Sequence, residues 1–420
     1  MLFRLYFLTI VLVLISGAIP FSLIGFLDEF LLVLCVIVLL PFYYNSMNPA
    51  GRSFVVLIFL FYIFSIINFF QSEYRGSFHW MTLQSFVYFK GLILTFVFIL
   101  FLKVRKDHNK QDRSLVNRVI NGLFLLLVLT SLINIIFPAQ WVDFLDVPIR
   151  FREGRIRLNG FFNSGGSFAY FVSFYVTLVW LVKRKRKVLD RPVYEMFYLF
   201  IIILSATAVF TYRKILAISV FTFIVFFFEL PRKHKVFVFS IIVVSIPFLL
   251  IMTPDLASNG LYEMTVDDLS KFNHSEHYYI RGRMFYHGIQ LAIENFPFGT
   301  SLGTFGSLAS LSNGDGELYY RFGLGHWYRE GYGIYDSMIG SITGEAGFVG
   351  LLIFGLVVFS FYKSIIVQLS PYYQVLFKVV FLFVVFSFFL GPIIQDGIGA
   401  VLLTVFVGYI FVNGYEQVTS

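Results

Sequence analysis

The sequence predicts an all-α polytopic membrane protein: a helix bundle of about twelve transmembrane helices with a large, partly helical extracytoplasmic loop. Three observations predict it. Hydrophobic residues make up 58% of the 420 and charged residues only 13%, too little polar surface to clothe a soluble protein of this size. Apolar runs such as 5–19, 55–70 and 379–390 with its flanks approach or reach the roughly 20 residues a helix needs to cross about 30 Å of hydrocarbon. Lys and Arg gather in short clusters between those runs, the pattern of membrane topology rather than of a nucleic-acid stripe, although the net charge is +8. A β-barrel would alternate polar and apolar residues, and these uninterrupted blocks do not.

In chain order, hydropathy places spans near 5–19, 30–44, 53–70, 80–102, 119–137, 166–182, 195–212, 214–230, 236–253, 345–362, 374–391 and 398–413. The first resembles a signal peptide, with Arg4 before an apolar stretch, but it runs on into further spans and reads as a retained helix. Arg4, Arg52, the basic cluster from Lys103 to Arg118, the run Lys183–Lys187, Arg232 to Lys235 and Lys363 fall in one alternate set of connections, which the positive-inside rule makes cytoplasmic. Both termini are then cytoplasmic, and the longest hydrophilic stretch is extracytoplasmic. The chain thus divides into a bundle at 1–253, a loop module at 254–344 and C-terminal spans at 345–420, one integral domain overall. The single Cys35 lies in an apolar run and reads as a small core residue, with no disulfide or thiolate metal site to build.

Two outward features oppose the charge bias: Arg150, Arg152, Arg155 and Arg157 in one short loop, and Arg213 with Lys214 at a tight reversal. Binding of an external anion is one explanation, in which Arg281 and Arg283 could join; for 150–157 the alternative is a shift of one span that places the loop inside. Lys90, inside the fourth span, reads as snorkelling or as an interhelical bond, and Asp28 and Glu29 as turn residues without chemistry.

The loop 254–344 holds most of the candidate chemistry. An amphipathic helix is expected from about 278 to 296, with Arg283, His287, Gln290 and Glu294 on one face and Arg281 on another. The glycine-dense stretch from Phe298 to Gly306 suits close approach of backbone to a ligand or a neighbouring helix; it is no nucleotide P-loop, lacking Gly-Lys-Ser/Thr. His326 and the aromatic-rich 332–337 stretch with Tyr335 offer surfaces for sugar rings and hydroxyls. Asp336 opens a helix, where its first role is an N-cap, and Glu345, nine residues on, should face away and anchor a loop.

Three stretches together resemble the O-antigen polymerase and ligase family. They are Arg157-Leu158-Asn159-Gly160-Phe161-Phe162-Asn163; Arg281 through Asn295-Phe296-Pro297-Phe298-Gly299 to Leu302-Gly303-Thr304-Phe305; and Asp336-Ser337 before Glu345-Ala346-Gly347-Phe348-Val349-Gly350. Asp336-Ser337 stands where ligases of the family often carry His-Asn, which leans the resemblance toward polymerase. It implies a metal-independent glycosyltransferase, without cofactor, in the bacterial cytoplasmic membrane. Its partners would be an undecaprenyl-diphosphate-linked oligosaccharide, membrane lipids and a chain-length regulator protein, and no nucleic acid. Arg157, Arg213, Lys214 and one of Arg281 or Arg283 would hold the diphosphate, Asp336 first and His326 second would take the hydroxyl proton, and Tyr335 would contact glycan. A ligase, a lipid-linked glycan flippase and a receptor or scaffold are the competing classes.

Overall fold

A computed structural model describes residues 2–15, 27–104, 109–145, 151–152, 155–156, 160–162, 168, 171, 175, 280–313, 316–331, 334–335, 337–389, 391 and 394–415. The chain divides into two compact units. The first comprises Met1–Val13, Gly25–Asp112 and His274–Ser420, the second Leu14–Ile24 and Arg113–Asn273.

The described architecture is helical. Among the described residues five helices are long and apolar enough to cross a membrane, Leu27–Ser46, Pro49–Gln71, Arg113–Ile136, Met338–Ile366 and Gly397–Gly414. Phe78–Val87 and Lys90–Val104, bent by 54°, make a sixth if counted as one span. The sixth to ninth predicted spans fall almost entirely outside the described residues.

α1 runs from Leu2 to Ile15, as far as Val13 in the first unit, which also holds the next four helices. α2 (Leu27–Ser46) carries a π turn at Cys35–Leu39. Pro41 supplies the reason: its ring would strike the carbonyl of residue 37 in a regular helix, and the wider turn before it makes room. α3 (Pro49–Gln71) starts with Pro49 after an Asn48 cap, whose side chain accepts from the Gly51 amide at 2.8 Å.

The predicted fourth span is instead two helices, α4 (Phe78–Val87) and α5 (Lys90–Val104). No proline causes the break. The Gly91 amide leaves the helical ladder and donates to the Ile394 carbonyl at 2.8 Å, while Phe89 N donates three residues back to Phe86.

In the second unit, α6 (Asn109–Ile136, from Arg113 onward) is followed by α7 (Pro138–Phe144) and by the two-residue strands β1 (Phe151–Arg152) and β2 (Arg155–Ile156). Their antiparallel register sets the backbone of Arg152 opposite that of Arg155. Gly160 has φ +60 and lies so close to Leu127 of α6 that a Cβ there would stand 2.4 Å from its Cδ1. Its carbonyl accepts from Trp141 Nε1 at 2.7 Å. Thus the glycine of the Arg-x-x-Gly stretch is a packing residue against α6.

The rest of the first unit comprises α8 (Ile280–Glu294), α9 (Ser310–Asn313), α10 (Glu317–Arg321), α11 (Gly325–Glu330), α12 (Met338–Ile366), α13 (Pro371–Ser387) and α14 (Gly397–Gly414). α12 packs against α3 and α8, and α14 against α5. α14 is almost wholly enclosed, with Thr404 and Thr95 hydroxyls 3.1 Å apart across that interface.

α8 and the start of α12 meet backbone to backbone. A Cβ on Gly288 would lie 2.2 Å from the Gly340 carbonyl oxygen, and one on Gly340 would lie 2.8 Å from that of Met284. Small residues permit such approach between helices in a membrane protein. Gly288→Val is accordingly expected to force the two helices apart and to lower the yield of folded, monodisperse protein in size-exclusion chromatography, whereas Ile293→Val on the exposed side is expected to leave it intact.

Candidate functional site

The candidate site is built on α8, the glycine loop after it and the first turns of α12. The helical periodicity gives α8 three faces. Met284, Gly288 and Leu291 are buried. Arg283, His287, Gln290 and Glu294 form a polar face, as the spacing predicts. That face is spent internally. Arg283 Nη2 donates to the Phe322 carbonyl at 2.8 Å, and the His287 ring stacks on Phe322 with centroids 4.3 Å apart. Gln290 Nε2 donates to Glu294 Oε1 at 2.9 Å, and Arg321 Nη2 reaches Glu294 Oε2 at 2.8 Å. Burial against Phe322 lowers the His287 pKa, with the nearby Arg283 charge acting in the same direction, so the neutral ring is favoured.

Under this face lies an apolar core of Met284, Leu291, Phe305, Tyr319, Phe322 and Leu324, among others. Each fully buried Leu, Phe or Met there contributes about 1.5–3 kcal/mol.

The chain then turns through a cis Phe296–Pro297 bond into the glycine loop, where Gly299, Ser301, Gly303 and Gly306 all have φ between +76 and +82. The loop is locked onto a break in α12. Gly347 has φ 61 and ψ −165, a conformation open to glycine, and so the carbonyls of Gly344 and Glu345 lose their helical partners. Thr300 N takes the first at 3.0 Å and Ser301 N the second at 2.9 Å. Asn68 Nδ2 also donates to the Glu345 carbonyl at 2.9 Å, and Ser72 Oγ to the Thr300 carbonyl at 2.8 Å, so the end of α3 closes the joint.

The Glu345 side chain is the centre of this arrangement. It is fully buried, and its Oε1 accepts from the Phe305 amide at 2.9 Å and from Ser307 Oγ at 2.6 Å. Its Oε2 accepts from the Tyr88 hydroxyl at 2.6 Å, at the α4–α5 break. The glycine-rich stretch therefore wraps closely around a carboxyl group, and that group is the protein's own. Alongside it, Tyr319 OH accepts from the Gly306 amide at 2.5 Å and lies 2.6 Å from Ser310 Oγ, and burial raises its pKa.

Of the predicted site residues, Arg157, Arg213, Lys214 and Asp336 lie outside the described residues. The cap of α12 is Ser337, whose side chain accepts from the Gly340 amide at 3.2 Å; the capping role expected of Asp336 belongs to its neighbour. Arg283 and Arg281 occupy different sides of α8, Arg281 half-buried. His326 is 67% exposed on α11, with Nε2 3.4 Å from Glu330 Oε1. Tyr335 packs, half-buried, on the edge of the apolar core.

Of the two readings of Lys90 the interhelical bond holds, and what sequence reasoning misses is its partners, Asp28 and Glu29. Asp28 and Glu29 stand in the first turn of α2, and Lys90 Nζ bonds Asp28 Oδ2 at 2.6 Å and Glu29 Oε1 at 3.1 Å. Lys90 is 2% exposed, so it is an interhelical ion-pair residue rather than a snorkelling one. The available signal is an ionisable group in an apolar span, which calls for a partner of opposite charge. The chain matches no protein-family model, and no curated protein matches it.

Proposed function

We propose that the chain is a polysaccharide polymerase that transfers an undecaprenyl-diphosphate-linked glycan onto the hydroxyl of another lipid-linked repeat unit at the outer face of the bacterial cytoplasmic membrane. The observation that carries the reading is the packing of α8 on the start of α12. The Gly340 contact with the backbone of Met284 and Phe285 puts the arginine-bearing turn 281–283 beside the residues that follow Asp336. Two stretches about fifty residues apart, both part of the family resemblance, thereby support one site.

In this reading about twelve spans put both termini in the cytoplasm and 254–344 outside. The bond from the anomeric carbon to the diphosphate breaks, and the diphosphate keeps the electron pair. The acceptor oxygen forms the new glycosidic bond as its proton passes to Asp336, with His326 the second choice. Charge growing on the leaving diphosphate, beside a low-dielectric membrane, is stabilised by Arg157, Arg213 and a guanidinium of α8 in bidentate contact. Because Phe305 N and Ser307 are engaged by Glu345, side-chain guanidiniums rather than those loop groups must supply the donors.

The test is incubation of purified protein with a lipid-linked repeat unit and no nucleotide sugar. A ladder of longer lipid-linked glycans is the expected product. Transfer only to a different acceptor would make the protein a ligase, and unchanged substrate with folded protein would remove both readings. Arg213→Ala is expected to abolish elongation at unchanged expression; a full ladder from that variant would take Arg213 out of the site.

A further inference from the structure

The third face of α8 is apolar and, among the described residues, exposed at Tyr286 and Ile293 with Ile289 half-buried between them. Tyr286, Ile289 and Ile293, at i, i+3 and i+7, form a stripe that Phe296 extends past the helix end. Ile293 is 62% exposed and Phe296 72%. The stripe is continuous with the surface of a candidate membrane span: the Phe296 ring lies 6.2 Å from that of Phe348, the residue just after the Gly347 break in α12. From Phe348 onward α12 exposes Leu352, Leu356 and Phe359 along one side. This second piece, residues 348 to 366, is about 28 Å long, close to the roughly 30 Å of bilayer hydrocarbon. Phe296 and Ile293 are thus level with the point where the crossing begins, and Tyr286 stands two turns further out.

We propose that the end of α8 sits at the membrane interface, with Ile293 and, just past the helix, Phe296 inserted among the acyl chains of bilayer lipids. The occupant is lipid rather than a protein partner because the stripe merges, ring beside ring, with the face of α12 that acyl chains must cover. Tyr286 at the outer end suits the headgroup level, where an apolar ring with a polar tip is at home. The charged face of Arg283, His287 and Glu294 lies to one side of the stripe, turned toward Phe322 and Arg321 and away from the proposed lipid contact. The insertion holds whatever reaction the molecule performs.

Spin labels test this. In a Cys35→Ser background, Ile293→Cys and Phe296→Cys are labelled beside Glu330→Cys, an exposed position on α11, and the protein is placed in vesicles of phosphatidylethanolamine and phosphatidylglycerol. Power saturation then compares collision with oxygen, enriched in acyl chains, and with a water-soluble nickel chelate. The expected oxygen-to-nickel ratio at 293 and 296 is several-fold that at 330. Nickel access at 293 and 296 equal to that at 330 overturns the proposal, and so does shielding of both labels from both reagents, which would mean that protein covers the stripe.

Discussion

Glu345→Ala is expected to be among the most destabilising single substitutions in the molecule. It leaves the Phe305 amide, Ser307 Oγ and the Tyr88 hydroxyl without their shared acceptor in a site closed to water. Each orphaned buried group costs about 1–3 kcal/mol, so the loss is on the order of 3–5 kcal/mol or more. The three donors belong to the glycine loop and to the α4–α5 break, so both should loosen together. Glu345→Gln is the informative contrast. Its carbonyl oxygen can still accept from Phe305 N and Ser307, and its amide can donate to a rotated Tyr88 hydroxyl. Thermal unfolding in detergent is expected to show a large downward shift for alanine and a small one for glutamine. Equal shifts for the two variants would mean that the negative charge, not the pattern of donors, holds the joint.

Lys90→Met should be comparably severe by a different route. Asp28 stays buried once its partner is gone, and removing one member of a buried pair costs about 3–5 kcal/mol. The site has no room to relax: a Cβ on Gly397 would lie 2.3 Å from Asp28 Oδ2, so the carboxylate is pressed onto the first residue of α14. Adding Asp28→Asn to Lys90→Met removes the buried charge, leaving only the half-exposed Glu29 unpaired, and is expected to recover most of the loss. The double-mutant cycle should give a coupling of about 1–3 kcal/mol. Additive effects of the two substitutions would show that the ion pair holds nothing together.

The helices near 53–70 and 398–413 are legible in the sequence because an uninterrupted apolar run has few alternatives in a membrane. The break between Val87 and Lys90 is not, since hydropathy carries no trace of a main-chain bond from Gly91 to Ile394. In the candidate site, the common face of Arg283, His287, Gln290 and Glu294 follows from helical spacing alone. What that face meets does not: Phe322 and Arg321 reach it only through tertiary folding. Glu345 shows the same division. Its position on α12 argues for a loop anchor, but three donors from two separate segments cannot be read from its spacing to Asp336. The capping residue shifts from Asp336 to Ser337, an offset of one that propensity does not resolve because both side chains cap well.

The contact of α8 with α12 carries a mechanical consequence. Where glycine meets glycine, no layer of side chains can change rotamer to absorb a shift, so the two helices share one displacement. Gly347 alone would invite flexing, but Thr300, Ser301 and Asn68 pin the carbonyls on its near side. A load applied to the arginine turn of α8 is therefore delivered undamped to the crossing segment of α12, and the response is a tilt of both together rather than a fold at the joint.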